Sequence, residues 1–270
     1  MRASRPLVYA HRGGSALRPE NTIASFDHGL ALGADGLELD VHLSRDGVVV
    51  VHHDDTLDRT TGGAGPLSAH TAAELASVDA GYWFTPRGAA GARGGHAGTA
   101  VPDEFPFRGQ GLGVPRLREV LDRYPGVPII IELKVNQPEL AHRTIDDLRA
   151  AGAVDRVSLG SFGWRVLNAA RAYEPRIPTG ASQEEARWAL YRSWIGWPLG
   201  RPSYRELQVP ERSGATTIIS PRFIAHAQRA GLPVKVWTVD DPDDLRRLIR
   251  WGVDGLITDR PDLAVAAVRE

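Results

Sequence analysis

Short apolar runs alternate along the chain with longer segments of mixed character. The runs are rich in Val, Ile and Leu without strict alternation, which is typical of strands that are buried on both faces. They predict strands at 7–10, 36–41, 129–134, 157–161, 177–180, 216–220, 233–238 and 254–258. The segments between them predict helices at 21–32, 116–124, 138–151, 163–173, 184–195, 221–230 and 241–251.

The order of these elements indicates the fold class. Eight strands that alternate with helices are typical of an α/β protein built as a TIM-type (β/α)8 barrel. The chain of 270 residues fits one such domain over 1–270, because these barrels typically need ~250 residues. An open doubly wound sheet is the alternative, but no Gly-rich phosphate-binding loop follows the first strand, as that fold would require.

The second predicted strand is followed by an antiparallel return at 48–53 rather than by a helix. The connection is far too short for a parallel crossover, and the Asp-Gly pair at 46–47 is typical of a tight hairpin. With that pair at the centre of the turn, Asp40 lies opposite His53. A shift of one residue would place His52 there instead, and geometry alone does not choose between the two registers.

A second irregular segment, 62–112, is long and rich in glycine, above all at 88–95. Connections inside compact domains are usually much shorter. We therefore predict a small inserted subdomain over 62–112, after which the chain returns to the barrel.

Composition narrows the functional classes. The 32 basic and 33 acidic side chains give no basic excess, so we expect no nucleic-acid partner. The chain has no cysteine, which excludes thiolate nucleophiles and thiolate metal sites. No run of about 18 apolar residues and no leader pattern at the N-terminus are present, so we expect a cytoplasmic protein without a membrane span.

Charged residues lie at the ends of two predicted strands. Glu38 and Asp40 are two residues apart and share one strand face, and Glu132 and Lys134 repeat this spacing. Active sites of barrels lie at the C-terminal strand ends, and converging carboxylates suit a hard cation, Mg²⁺ or Ca²⁺. The alternative is a buried Glu–Lys salt bridge accompanied by exposed carboxylates.

Histidine and arginine follow the first predicted strand directly, as His11 and Arg12. They therefore belong to the same barrel face as the carboxylates. The second histidine that the hairpin brings to Asp40 would allow paired acid–base roles next to one metal. Arg12 and Lys134 could hold an anion such as phosphate.

Other candidates have two interpretations each. Trp237 either forms an apolar wall of the pocket or fills the barrel, and Asp259 either caps the final helix or contacts ligand. The residues at 20–22 either cap the first helix or support the site. The aromatic stretch 188–197 either packs over the barrel or forms a lid that faces substrate or lipid. The remaining histidines show no converging partners in the sequence: His28, His42, His70, His96, His142 and His226.

Taken together, these residues resemble the glycerophosphodiester phosphodiesterase family. The matching segments run in family order over almost the whole chain. They are His11-Arg12-Gly13, Pro19-Glu20-Asn21-Thr22, Glu38-Leu39-Asp40-Val41, Asp46-Gly47, His53 to Thr61, Pro115-Arg116-Leu117, Glu132-Leu133-Lys134, Val236-Trp237-Thr238-Val239 and Gly252 to Asp262.

The resemblance implies a barrel with a small insertion and metal-dependent cleavage of a small-molecule glycerophosphodiester to glycerol 3-phosphate and an alcohol. It also implies attack by the substrate's own 2-hydroxyl through a cyclic phosphate, and it selects His53 over His52. The implied roles are acid–base catalysis for His11 and His53, metal binding for Glu38, Asp40 and Glu132, and phosphate contact for Arg12 and Lys134.

Three other functions remain alternatives at the level of sequence. A lysophospholipase D-type enzyme would act on lipids, with peripheral lipid contact through the stretch 188–197. A binding module would keep the fold without catalysis, although the full set of candidate residues argues against it. An enolase-type or isomerase barrel would use Lys134 as the base for a carbon acid. The sequence carries no information on oligomeric state.

Overall fold

The structure, a computed structural model, describes residues 5–86 and 105–270. Parallel strands form a barrel in the order β5–β4–β2–β1–β10–β9–β6, where β2 also pairs with the antiparallel β3. The strands are β1 (Leu7–His11), β2 (Gly36–Leu43), β3 (Val49–Val51), β4 (Ile129–Leu133), β5 (Val157–Gly160), β6 (Leu207–Pro210), β7 (Arg212–Ser213), β8 (Thr216–Thr217), β9 (Val234–Trp237) and β10 (Gly255–Thr258).

Residues 179–180 close the barrel between β5 and β6. Thr179 bridges Leu159 of β5 in parallel, and Gly180 bridges Glu206 beside β6. Eight parallel segments of the described chain therefore surround the axis, and the predicted TIM-type barrel is confirmed.

Helices surround the barrel and mostly follow its strands. In the helix Pro242–Trp251, the side chain of Asp241 accepts hydrogen bonds from backbone N–H groups of the first turn. Gly252 ends this helix in the left-handed region, at φ 81°. The helices are α1 (Ile23–Ala31), α2 (Ala72–Ala76), α3 (Leu117–Arg123), α4 (Pro138–Ala150), α5 (Trp164–Tyr173), α6 (Gln183–Ile195), α7 (Pro221–Arg229), α8 (Pro242–Trp251) and α9 (Pro261–Arg269).

The pleat of each strand divides its side chains between two environments. Along β2, Leu37, Leu39 and Val41 belong to the large apolar core between the barrel and its helices. Glu38 and Asp40 take the opposite face and point into the barrel. The same division holds for the other barrel strands. Among the described residues, the interior carries the charged side chains together with a small apolar cluster of Tyr9, Ile130 and Ile257, against which Trp237 packs.

One predicted barrel strand, 216–220, is wrong. Thr216–Thr217 instead pairs with Arg212–Ser213 as a short exposed hairpin. The barrel position belongs to β6, in which Leu207 and Val209 are buried. That segment is only four residues long and ends in a proline, so its apolar pattern is weak in the sequence. The predicted strand at 177–180 contributes only the bridges at 179–180.

The hairpin exists, and of the two registers left open by the sequence it has the shifted one. Val41 lies opposite Val51, and the backbone N–H of His52 donates to the carbonyl of Asp40 at 3.0 Å. His52, not His53, is therefore the cross-strand neighbour of Asp40. The reason is a three-residue loop with Gly47 at φ 73°, whereas a two-residue type I′ turn would also need a positive φ at the preceding aspartate.

A second, smaller apolar cluster lies beside the hairpin and comprises Val50, Leu57, Leu67, Ala72, Leu75, Ala80 and Val114. Through this cluster, α2 and the segments next to it pack against β3. The inserted subdomain over 62–112 stays a prediction, and its Gly-rich centre lies outside the described residues.

A buried ion pair fills the bottom of the barrel, at the N-terminal ends of the strands. Lys235 Nζ donates to Glu206 Oε2 at 2.7 Å and lies over the ring of Tyr9 at 5.0 Å from its centroid. Both charged residues are buried. Removing one partner of such a pair leaves an uncompensated charge, which costs far more than the net contribution of the intact pair.

We therefore expect Lys235→Ala to lower the free energy of unfolding by about 3–5 kcal/mol. The matched control is Arg118→Ala, which breaks the exposed pair with Asp122 and should cost at most about 0.5 kcal/mol. Urea denaturation followed by circular dichroism measures both. Equal effects of the two variants would contradict a buried pair at this position.

Candidate active site

Three carboxylates converge inside the barrel at the C-terminal ends of β2 and β4. The register pairs Asp40 with Glu132, and Glu38 precedes Asp40 on the same face. One oxygen of each carboxylate can be chosen so that all three lie within 4.8 Å of one another. The expected convergence of Glu38, Asp40 and Glu132 is therefore present.

Asp40 is the most deeply buried of the three, with 0% of its surface exposed. Its Oδ2 accepts a hydrogen bond from the side-chain amide of Asn21 at 2.9 Å and lies 3.2 Å from Arg12 Nε. Its Oδ1 has no hydrogen-bond partner among the described residues, although Lys134 Nζ lies 3.5 Å away. Burial alone would raise the pKa of Asp40, but the charges of Arg12 and Lys134 outweigh it and lower that pKa.

The pKa values of the other two carboxylates shift in the opposite direction. Burial and the nearby charge of Asp40 raise the pKa of Glu38. Burial also raises the pKa of Glu132, with Asp40 adding to the effect and Lys134 opposing it. Crowded carboxylates with one orphaned buried oxygen are the arrangement that a divalent cation would relieve, and oxygen donors are the ligands that Mg²⁺ and Ca²⁺ prefer.

His11 ends β1 and is fixed by a carboxylate from the last strand. Its Nδ1 lies 2.6 Å from Asp259 Oδ1, and its Nε2 lies 3.8 Å from Glu38 Oε2. Burial opposes the charged form, but Glu38 and Asp259 outweigh it and raise the pKa of His11. Asp259 is itself held by Asp240, whose Oδ1 accepts the backbone N–H of Asp259 at 2.8 Å. Asp259 therefore orients the histidine, which the sequence alone did not reveal.

His53 follows β3 and lines the same cavity as His11. Its Nδ1 lies 2.5 Å from Asp54 Oδ1. Burial lowers the pKa of His53, and the charge of Arg12 adds to this. Its neighbour His52 turns away, with Nε2 3.1 Å from the carbonyl of Thr56. The side chain that reaches the cavity is thus the one that the family resemblance selects, although the strand pairing favours His52.

Alternating charges connect the two halves of the site. Arg12 donates to Glu20 at 2.9 Å, and Arg59 donates to both Glu20 and Asp54. Burial alone would raise the pKa of Glu20, but the hydrogen bond from Arg59 and the charge of Arg12 lower it to about 2. The position of Arg12 beside Asp40 is therefore coupled to the position of Asp54 beside His53.

An uncommon backbone conformation places two of the side chains that contact Asp40. Arg12 and Asn21 have φ values of 51° and 57° and are the non-glycine residues with positive φ in the described chain. Such conformations persist only where the surroundings enforce them. Gly13 follows at φ 86°, and a Cβ there would lie 2.6 Å from the backbone carbon of Ser25. Thr22 caps α1, so the segment 20–22 serves both of its expected roles, as a cap and as support for the site.

One histidine that showed no converging partner in the sequence supports the site after all. His42, two residues after Asp40 and on the same face of β2, lies with Nε2 3.1 Å from the carbonyl of His53. It holds the backbone from which His53 projects. His96 lies outside the described residues.

The site forms the inner end of a cavity of about 530 Å³. Lys134 and Trp237 both line it, and Trp237 packs edge-to-face on Phe162 with the ring centroids 5.9 Å apart. The outer part is lined mainly by apolar side chains, including Leu190, Tyr191 and Trp194. The cavity is therefore polar and charged at its base and largely apolar toward its mouth.

Several lining residues were not identified from the sequence. Phe162 and Gln208 follow or belong to barrel strands and face the cavity, so position at a strand end was the available signal. For Gln208 that signal was hidden, because its strand was not predicted. Asp54 and Arg59 lie within the family motif, but their ion pairs depend on tertiary contacts that no local pattern shows.

Within the described residues, none of the helices combines the length and apolar character needed to cross a membrane.

Comparison with known proteins agrees with this geometry. The family model described as "Glycerophosphoryl diester phosphodiesterase family" matches residues 11–263. A glycerophosphodiester phosphodiesterase of Caldanaerobacter subterraneus is 31% identical, with 98% of this chain and 99% of the relative covered. One from Bacillus subtilis is 30% identical, with 96% and 85% covered.

Solved structures show the same likeness. A glycerophosphodiester phosphodiesterase from Agrobacterium tumefaciens superposes with a TM-score of 0.75 at 30% identity, covering 97% of this chain and 99% of that one. A phosphodiesterase from Oleispira antarctica, solved in complex with the product sn-glycerol-3-phosphate, has a TM-score of 0.75 at 26% identity, with 98% of each chain covered. This chain therefore belongs to the glycerophosphoryl diester phosphodiesterase family and is a hydrolytic enzyme of the TIM-barrel type.

Proposed function

We propose that the protein hydrolyses glycerophosphodiesters to glycerol 3-phosphate and an alcohol with the help of a divalent cation. The observation that carries this proposal is one cavity base with three converging carboxylates, two carboxylate-oriented histidines and two cationic side chains. The related Oleispira antarctica enzyme holds sn-glycerol-3-phosphate as its product, which supports the same product here.

Glu38, Asp40 and Glu132 would hold the cation, Mg²⁺ or Ca²⁺. Their oxygens already lie close together, and Asp40 Oδ1 is buried without a hydrogen-bond partner among the described residues. When bound, such a cation polarises phosphate oxygens and makes a nearby hydroxyl more acidic.

Arg12 and Lys134 bind the non-bridging phosphate oxygens, since both line the cavity base next to the carboxylates. The glycerol 2-hydroxyl attacks phosphorus, and one histidine accepts its proton. The other histidine donates a proton to the leaving alcohol oxygen, which gives a cyclic phosphate. Water then opens the ring with the two roles exchanged. Asp259 and Asp54 fix Nδ1 of His11 and His53, which leaves Nε2 of each ring for these transfers.

The leaving alcohol extends toward the mouth, along Trp237 and Phe162. Because the outer wall is largely apolar and includes Leu190 and Tyr191, a lysophospholipase D-type reaction on a lipid substrate is the second candidate function. Both functions use the same base of the cavity and differ in the alcohol that leaves.

We expect enzyme stripped with chelator to release glycerol 3-phosphate from glycerophosphocholine or glycerophosphoethanolamine only after Mg²⁺ or Ca²⁺ is restored. Enzymatic quantification of glycerol 3-phosphate measures the reaction. Turnover confined to micellar lysophospholipid would favour the lipid reaction, and no turnover of either substrate with either metal would refute both.

The cation should also stabilise the fold, because binding to the native state alone adds about 2.7 kcal/mol at a hundredfold excess over Kd. For a chain of this size that corresponds to a rise in Tm of about 5 °C. Differential scanning calorimetry should show the rise in the native protein and its loss in Glu132→Gln. The control Glu119→Gln, an exposed residue on α3, should keep it. An equal rise in both variants would remove Glu132 from the ligand set.

His11→Ala and His53→Ala should each lower kcat by ~10²–10⁴-fold, the usual contribution of general acid–base catalysis. His28→Ala, a change on the first helix, is the matched control and should remain near the native rate. Circular dichroism establishes that the fold is kept. Near-native rates for both cavity variants after metal loading would overturn the two-histidine assignment.

A further inference from the structure

Helix α6 carries large apolar side chains on two sides, although only one side is covered. Its inner side packs on the barrel core through Ala189 and Leu190. Its outer side carries Trp188, Trp194 and Ile195, which are 66%, 50% and 76% exposed. The second half of α6 therefore exposes large apolar side chains that no other segment of the described chain covers.

Five exposed residues lie along α6 and just beyond its end, and we name them the aromatic patch: Trp188, Tyr191, Trp194, Ile195 and Trp197. The rings of Trp188 and Tyr191 lie 6.2 Å apart between centroids, and those of Tyr191 and Trp194 lie 5.3 Å apart. Trp197 follows the end of the helix and is 63% exposed. Single exposed apolar residues are ordinary, but a contiguous patch of this kind marks a surface that binds something.

Arginine predominates around the aromatic patch. Glu184 lies one turn before Trp188 on α6, and its neighbour Glu185 is paired with Arg171. Residues 187–205 contain four arginines and neither aspartate nor glutamate, in a chain whose net charge is −1. Within the part of the chain that the structure describes, Arg187 and Arg201 form no ion pair with any carboxylate, whereas most other arginines do. The local excess of positive charge therefore complements an anionic surface.

The aromatic patch adjoins the mouth of the active-site cavity. Tyr191 and Trp194 belong to the patch and also line the cavity, together with Arg187. Whatever covers the patch therefore lies next to the opening through which substrate enters.

We propose that the aromatic patch is a docking surface for an anionic phospholipid bilayer. Tryptophan and tyrosine prefer the boundary between headgroups and acyl chains, because their rings are apolar with a polar edge. Arginines at the rim are attracted by anionic headgroups, and apolar insertion and charge attraction together determine how strongly such a helix binds. The cavity would then open at the membrane surface.

A second copy of the chain is the competing occupant, and the charge pattern disfavours it. In a two-fold symmetric contact the same patch meets itself. The arginines of residues 187–205 would then face one another without a carboxylate from that segment between them.

Co-sedimentation with vesicles tests the proposal without any need for turnover. The native protein should bind vesicles of phosphatidylglycerol and phosphatidylcholine in equal parts at low salt, and it should bind pure phosphatidylcholine much more weakly. Trp188→Ser/Ile195→Ser/Trp197→Ser should weaken binding by about tenfold or more, because binding scales with the apolar area that inserts. These three residues do not line the cavity, so turnover of glycerophosphocholine by the variant should stay near native.

A charge variant separates attraction from insertion. Arg201→Gln should weaken binding to the anionic vesicles about fivefold, the effect expected for one basic residue near such a surface. The matched control Arg250→Gln removes an exposed arginine on α8 and should have no effect. The control for apolar exposure is Leu7→Ser, which changes a residue that is 40% exposed at the opposite end of the barrel.

Three results would overturn the proposal. One is no binding to anionic vesicles at low salt. Another is equal binding by the native protein and the triple variant. The third is a stable dimer in multi-angle light scattering that the triple variant converts to a monomer, because the patch would then be covered by a second copy.

Discussion

The arrangement of the site depends on one fully buried carboxylate. Asp40 is surrounded by an amide from Asn21 and by the cations of Arg12 and Lys134, which come from different segments of the chain. An ionised group cannot remain buried without such partners. The loop after β1, the start of α1 and the end of β4 must therefore meet at this carboxylate, and the left-handed conformations of Arg12 and Asn21 are the backbone consequence.

From this centre, charge of alternating sign extends to His53, whereas His11 is held by a separate pair of aspartates. Arg12 contacts Glu20, Glu20 contacts Arg59, and Arg59 contacts Asp54 beside His53. On the other side Asp240 supports Asp259, which holds His11. Each histidine thus has a fixed orientation before any substrate arrives. Preorganisation of this kind reduces the cost of reaching the reactive geometry.

Local patterns predicted the barrel and most of the site because both follow from strand periodicity. Glu38 and Asp40, two residues apart, had to share a face, and His11 had to lie at the same end of the barrel. Strand β6 was missed because four residues ending in a proline carry little periodic signal. The hairpin register stayed open because a turn conformation that depends on Gly47 decides it. The support that Asp54 and Asp259 give to the histidines was missed because only tertiary contacts reveal it.

The filled base of the barrel has a kinetic consequence for the proposed reaction. Tyr9, Ile130, Ile257 and the Lys235–Glu206 pair occupy the interior below the carboxylates, so the cavity opens at one end. In the proposed reaction the phosphoryl group would lie innermost and the alcohol nearest the mouth. Product release would then be ordered, with the alcohol first and glycerol 3-phosphate last. Added glycerol 3-phosphate would compete directly with the substrate for the free enzyme, whereas the alcohol alone would be a far weaker inhibitor.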